Sequence, residues 1–235
     1  MKNIILLLSL CLLTCLSRAQ ETKIDSIDSV TDTTSKPKTP IDLSLNKISV
    51  FSGLTLSSFL YDETTLAYNN QYAYTADASL GLNFEFTSRR HVLKPEILYK
   101  RLGSSTTIND TEIQWKLSYL ELNIGYLFRV LDNPKFKIST GLNYGLAYMM
   151  DGYQTIGQIR YDVGSAGFLN RLDLTGNFLL NFAFQIRENL HLFAEYRFGM
   201  SILNIEKDNN QTTRNMYHTV GLGLSYILPP APNKQ

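Results

Sequence analysis

Between residues 47 and 228 the chain alternates apolar residues with small, polar or charged ones. In the second such run, for example, Leu80, Leu82 and Phe84 alternate with Gly81 and Asn83. A repeat of two residues is typical of a β-strand whose two faces meet different surroundings. Eight runs show this pattern, and each predicts one strand: 48–60, 76–87, 92–101, 117–128, 137–149, 172–186, 190–203 and 216–228.

The charged residues that fall on the phase opposite the apolar one decide between two kinds of barrel. They are Asp77, Glu85, Lys94, Glu96, Lys100, Glu121, Lys137, Asp173, Glu195 and Arg197. A water-soluble barrel carries charge on its outer face, whereas a membrane barrel has an uncharged outer band around a polar interior. The pattern predicts an all-β, eight-stranded antiparallel up-and-down transmembrane β-barrel over residues 47–228, with no charge on its lipid face.

The ten inward charges also predict what fills the barrel. Eight strands leave an interior barely wide enough for side chains, so we expect the charges to pair in a structural salt-bridge network within a hydrogen-bonded lumen. A turn near Arg89 and Arg90 would place Glu85 opposite Lys94. A small-solute channel lined by Glu121, Glu195 and Arg197 is the alternative.

The connections between the runs alternate in length. Residues 88–91, 129–136 and 187–189 are short links, whereas 61–75, 102–116, 150–171 and 204–215 are longer and polar. Outer-membrane barrels have short periplasmic turns and longer external loops. We therefore expect both ends of the chain to lie in the periplasm.

The N-terminal segment has the pattern of an export signal. Lys2 precedes a 13-residue apolar stretch (4–16), and Ala19 closes a small-residue cleavage site. We expect residues 1–19 to be removed as a signal peptide; the alternative is a lipoprotein signal acylated at Cys15. Both cysteines lie in this segment, so the mature chain would have no thiol for a disulfide, a zinc site or a nucleophile.

Composition changes abruptly after the signal. Residues 20–46 are rich in Thr, Ser, Asp and Pro and carry five acids, which predicts a flexible periplasmic arm. Residues 229–235 form a short C-terminal tail. The net charge of +1 argues against a nucleic-acid partner, because phosphate binding requires dense Lys and Arg.

Two stretches resemble a known family. Residues 118–128 (SYLELNIGYLF) and 141–147 (GLNYGLA) are similar to the central strands of the PorT-like outer-membrane β-barrel family common in Bacteroidetes. The spacing of Thr219, Gly221, Leu224 and Tyr226 resembles the signal that the outer-membrane assembly machinery reads. These resemblances imply a bacterial outer-membrane location, contact with outer-membrane lipid, and an envelope or secretion protein as partner.

Few residues suggest chemistry. His91 and His191 lie in or beside tight turns and are interpreted as solvated turn residues, while His218 falls on the lipid-facing phase. An outer-membrane lipid-modifying enzyme that pairs His218 with Ser201 or Ser165 is an alternative, but Ser201 lies on the inward phase and no acid is placed to orient the imidazole. We expect no catalytic residues, no cofactor and no metal.

The connection over residues 150–171 is the best candidate for a partner-binding loop. It carries Tyr153, Tyr161 and Phe168, which we expect to be exposed, between four glycines. Rigid aromatic anchors in an adaptable segment suit a protein interface. The 20–46 arm is the second candidate.

Overall fold

The computed structural model describes residues 45–62, 72–207 and 212–229. The predicted signal peptide, nearly all of the predicted arm and the tail from residue 230 lie outside these ranges. The described residues contain no helix long and apolar enough to cross a membrane.

The described chain is built from antiparallel strands joined in sequence order. Their bounds are β1 Leu45–Asp62, β2 Ala73–Ser88, β3 His91–Ile108, β4 Thr111–Asp132, β5 Phe136–Ile156, β6 Ile159–Asp162, β7 Leu172–Arg187, β8 Leu190–Ser201 and β9 Thr212–Ile227. Each strand except β6 pairs with a strand on either side, and β5 pairs in addition with β6. The ring closes because β1 pairs with β9 from Lys47↔Ile227 to Asp62↔Thr212. The eight predicted strands thus form a closed ring, which confirms the predicted fold class.

The two ends of the barrel differ. The turn end carries the β2–β3, β4–β5 and β7–β8 turns together with residues 45 and 229. The loop end carries the β1–β2, β3–β4, β5–β7 and β8–β9 connections. The short strand β6 lies at the loop end, where it pairs with the end of β5.

One connection that we expected to be a long polar loop is not a loop. Residues 102–116 are the paired ends of β3 and β4, joined by a tight turn at Asn109 and Asp110. Both turn residues have left-handed backbone angles, with φ of 49° and 61°. This is the conformation of a type I′ hairpin turn, which favours Asn followed by Gly.

This turn gives a first prediction. Asp110→Gly should raise the free energy of unfolding by up to about 1 kcal/mol, because glycine adopts a positive φ without steric cost. Asp110→Val should lower it by about 1–2 kcal/mol, because a β-branched residue is strained there. Urea unfolding of the refolded barrel, followed through the fluorescence of Trp115, measures both; equal effects would contradict the assigned turn.

The outer face of the ring is an apolar band. On β4 the exposed residues from Leu120 to Val130 are all apolar or aromatic. About ten residues of a strand tilted by ~40° cover roughly 25 Å, the height of the apolar band of outer-membrane barrels. The expectation of an uncharged outer face is wrong at one residue of the runs: Arg101, near the loop end of β3, is exposed, and its Nε donates to the Tyr99 hydroxyl at 3.0 Å.

The interior is packed and more apolar than we expected. Below the loop end lies a cluster that we call the loop-end core: Phe59, Leu102, Leu117, Tyr119, Ala147, Met149, Val163, Ile205 and Tyr217. Two smaller apolar clusters also lie inside the ring, Phe51 with Leu98, Ala183 and Phe193, and Val92 with Leu127 and Leu179. The lumen is therefore a mixed apolar and ionic core.

Candidate functional site

Four of the predicted charges form one connected group in the interior, which we call the central network. Arg197 donates to Glu96 at 2.7 and 2.8 Å and to Glu195 at 2.8 Å. Lys94 lies 2.5 Å from Glu195 and 3.6 Å from Glu96. All four side chains are almost completely buried. The two acids and two bases cancel, so no net charge is buried.

Amides complete the coordination of the central network. Asn123 donates to Glu96 at 3.3 Å, and Asn181 donates to Glu195 at 3.2 Å. Each carboxylate therefore has a neutral donor in addition to its cations. A buried ion pair is tolerated only when such further hydrogen bonds satisfy its remaining lone pairs.

A second ion pair lies nearer the loop end. Lys100 Nζ is 2.6 Å from Glu121 Oε2 and 2.6 Å from the Tyr217 hydroxyl. Thr175 donates to the other oxygen of Glu121, and Tyr217 donates to Asn177 at 2.5 Å. These contacts join β3, β4, β7 and β9 across the lumen.

Asp173 and Asp77 point inward without a cationic partner within ion-pair distance in the part of the chain that the structure describes. The Ser201 hydroxyl donates to Asp173. The same hydroxyl accepts hydrogen bonds from the backbone amide of Asn215 at 3.1 Å and from its side-chain amide at 3.2 Å. Asp77 pairs in register with Thr55.

The predicted register between β2 and β3 is confirmed, but the charge pairing inferred from it is wrong. Ser79 lies opposite Lys100 and Asn83 opposite Glu96, as a turn at Arg89 and Arg90 requires. Glu85 instead pairs with Lys47 at 2.7 Å, while Lys94 reaches across the lumen to Glu195. Strand register fixes which residues are neighbours on the wall, whereas long side chains in a narrow barrel also reach the opposite wall.

Two other cations at the turn end, Arg129 and Lys137, are more loosely paired than Lys47. Lys137 Nζ lies 3.9 Å from Asp132, and Arg129 lies 3.7 Å from the same carboxylate. Arg129 also donates to Thr87 at 3.1 Å. Lys47 and Arg129 lie at or beyond the ends of the predicted runs, so the sequence interpretation missed them, although their inward phase could have revealed them.

The three histidines fall in different environments. His91 is exposed beside the β2–β3 turn, and its Nδ1 lies 2.6 Å from the Tyr126 hydroxyl. His218 Nδ1 lies 2.8 Å from the Tyr196 hydroxyl on the outer face, and its ring packs against Tyr74 and Phe198. Ser201 points into the lumen, so the structure does not bring His218 and Ser201 together. His191 is only 3% exposed, so its interpretation as a solvated turn residue is wrong.

Much of the predicted partner-binding loop is ordered β-structure. Strand β5 continues to Ile156, turns at Gly157, where φ is +58°, and returns as β6. We call residues 153–162 the loop-end hairpin. Tyr153 is covered by the Arg160 guanidinium, 3.4 Å from the centre of its ring, so the expectation that Tyr153 is exposed is wrong.

The segment that follows the hairpin is tied to the barrel. Val163 enters the loop-end core, and its amide donates to Gly152 at 3.0 Å. Arg171 donates to the Tyr148 hydroxyl and to the Gly164 carbonyl, each at 3.2 Å. The Ser165 amide donates to Asp162 at 2.9 Å and lowers the pKa of that carboxyl.

Within the described ranges, no group of three or more His, Cys, Asp or Glu side chains is arranged to hold a metal ion. No protein-family profile and no curated protein sequence matches the chain. The resemblance to the PorT-like family therefore rests on residues 118–128 and 141–147 alone.

Several solved structures are similar to this chain at low identity. Neisserial surface protein A (NspA) is 9% identical with a TM-score of 0.46, over 77% of this chain and 97% of that one. The outer membrane protease OmpT from Escherichia coli is 8% identical with a TM-score of 0.43, over 80% and 98%. Ail, the attachment invasion locus protein of Yersinia pestis, is 13% identical with a TM-score of 0.40, over 78% and 100%.

Proposed function

We propose that the protein is an integral outer-membrane β-barrel that acts as a closed anchor, and that its loop end binds a protein of the cell envelope. The observation that carries the proposal is the combination of a closed apolar wall with a filled interior. A wall of this kind leaves no unpaired strand edge in lipid. A filled interior leaves the surface at the ends of the barrel to carry the function.

The connections support one orientation of the barrel. Outer-membrane barrels place short turns in the periplasm and larger connections outside. The turn end, with residues 45 and 229, is therefore assigned to the periplasm, and the loop end to the cell exterior. The PorT-like resemblance makes a secretion component the first partner to look for.

The interior favours an anchor over a channel. Glu121, Glu195 and Arg197, the residues of the alternative channel, are at most 1% exposed and are held in ion pairs. The loop-end core lies between them and the loop end. We expect the purified full chain to produce no current steps in a planar lipid bilayer; reproducible steps of one size would favour the small-solute channel instead.

The loop end offers a surface suited to a protein partner. Ile159 is 60% exposed, Tyr161 47% and Phe168 70%. These apolar side chains are carried by backbone that the contacts of Asp162, Val163 and Arg171 hold in place. Apolar and aromatic anchors on a preordered surface lose little entropy on binding.

A double substitution tests this surface. Tyr161→Ser with Phe168→Ser should leave the barrel folded, because both side chains are exposed, while abolishing cross-linking to the partner and complementation of a deletion strain. The matched control is Ile108→Ser, which removes an exposed apolar side chain from the neighbouring β3–β4 hairpin. Full complementation by the double variant would contradict a partner site on this surface and would favour the periplasmic arm or the barrel wall instead.

Point substitutions are better suited to this test than removal of the loop. Replacing residues 154–167 with a short Gly/Ser turn would also remove Val163 from the loop-end core. A loss of function in that variant would therefore mix a lost binding surface with a loosened barrel.

A further inference from the structure

A recess at the turn end combines basic side chains with a buried, unpartnered imidazole nitrogen. It has a volume of about 180 Å³ and opens at the mouth of the barrel. Its walls come from six of the eight barrel strands: Asn46, Lys47, Thr87, Arg129, Lys137, His191 and Ile227. A smaller, deeper cavity shares Lys47, Arg129 and Lys137 with it.

The recess has an excess of positive charge. Three of its wall residues are cations, and none is a carboxylate. Glu85, the partner of Lys47, faces the deeper cavity instead. Asp132 is the nearest acid to both Arg129 and Lys137, at 3.7 and 3.9 Å, which is beyond hydrogen-bonding distance. Arg129 and Lys137 therefore share the Asp132 carboxylate, and neither cation forms a hydrogen bond with it.

His191 supplies an independent indication of a ligand. Its side chain lines the recess, the residue is almost completely buried, and its Nδ1 has no hydrogen-bond partner among the described residues. Buried polar atoms in folded proteins almost always have a partner, and an exception needs an explanation. A ligand oxygen in the recess would accept a hydrogen bond from Nδ1–H.

We propose that this recess binds a phosphate-type oxyanion. Four potential donors line it: the Lys47 ammonium from β1, which is also ion-paired with Glu85, the Arg129 guanidinium from β4, the Lys137 ammonium from β5 and the His191 imidazole from β8. Oxyanion sites in proteins use such convergent charged donors, and Arg suits the planar spacing of two oxygens. The volume holds a phosphate group with a few waters, because each water in the liquid occupies about 30 Å³.

The test is calorimetric titration of the full chain, in detergent free of phospholipid, with inorganic phosphate at constant ionic strength. One phosphate should bind per chain. Lys137→Gln and His191→Leu should each weaken binding by about tenfold or more, because each removes a donor to a charged ligand. Lys137→Arg should retain binding, because the cation is preserved.

Lys135→Gln is the matched control, since Lys135 is an exposed lysine on the β4–β5 turn that does not line the recess. Heat-modifiability on gels verifies that every variant is folded. Absence of phosphate binding to the folded full chain, or equal affinities for the Lys137→Gln and Lys135→Gln variants, would overturn the proposal.

A second set of titrations distinguishes the sources of the phosphate group. The protein is placed in vesicles of phosphatidylcholine alone or mixed with phosphatidylglycerol. Unchanged binding of inorganic phosphate in both vesicles would support a soluble periplasmic oxyanion as the ligand. Competitive weakening by phosphatidylglycerol would support the phosphate of an anionic lipid headgroup at the same site.

Discussion

Replacing Arg197 with methionine is expected to lower the free energy of unfolding of the barrel by about 3–5 kcal/mol. Arg197 makes three charged hydrogen bonds in the central network, two to Glu96 and one to Glu195. Its removal leaves these two buried carboxylates with Lys94 as their only cation in the network. The cost arises mainly from the uncompensated negative charge that remains.

A second substitution should therefore restore stability. In Arg197→Met with Glu96→Gln, one acid and one base remain, so the double variant should be more stable than Arg197→Met alone by at least about 1 kcal/mol. Arg101→Met is the control, because this arginine lies on the exposed face near the loop end, and it should change stability by less than about 0.5 kcal/mol.

Urea titration of vesicle-refolded protein, followed by Trp115 fluorescence and gel heat-modifiability, measures all three variants. Trp115 is the only tryptophan in the chain and packs against Phe59 and Tyr72 at the loop-end core. Additive losses in the double variant would show that Arg197 and Glu96 act independently, contrary to the network geometry.

The second large effect is expected on the outer face. Leu122 is 58% exposed in the middle of the apolar band of β4, so Leu122→Arg should lower stability in lipid by about 2–4 kcal/mol or block insertion. Ile108→Arg is the matched control, because Ile108 is exposed at the tip of the β3–β4 hairpin, outside the band. Its substitution should cost less than about 1 kcal/mol.

The comparison is made by refolding both variants into vesicles and measuring the folded fraction and the urea midpoint. Similar behaviour of the two arginine variants would mean that the face containing Leu122 is not in lipid. Asn123→Arg is not a suitable control, although Asn123 is the next residue after Leu122 and faces the interior. Asn123 is nearly fully buried and donates to Glu96, so an arginine there would overfill the packed interior.

Strand number, strand phase and the inward position of the ten charges could be predicted because each depends on local alternation. The partners of these charges could not be predicted in the same way. Lys94 and Glu195 are 101 residues apart, and their contact depends on strand tilt and stagger around the ring. The register of β2 and β3 alone predicted a Glu85–Lys94 pair. In the closed barrel, Glu85 pairs with Lys47 on β1, and Lys94 pairs with Glu195 on β8.

The loop end was the hardest region to predict. Beyond the membrane band a strand no longer needs an apolar outer face, so the polar residues 102–116 matched a loop although they form a hairpin. Tyr153 is covered by Arg160 because β5 pairs with β6, and the sequence around β6 shows no alternation that would predict this strand. At the turn end, His191 is buried because it lies on the inward phase of β8, which it shares with Glu195 and Arg197.

Because β1 pairs with β9, the wall closes only when the first and last strands of the barrel meet. Ser49 on β1 and Ser225 on β9 share a hydrogen bond across 176 residues of sequence. Before β9 pairs with its two neighbours, β1 and β8 each present a row of unpaired amides and carbonyls, which the hydrocarbon of a bilayer does not tolerate. A chain whose ring is still open therefore needs both edges covered, by water or by a helper protein, until its last sixteen-residue strand is in place. Closure of the wall and desolvation of its charged interior then coincide, so a chain truncated before β9 should not form the ring and should be degraded by proteases faster than the full chain.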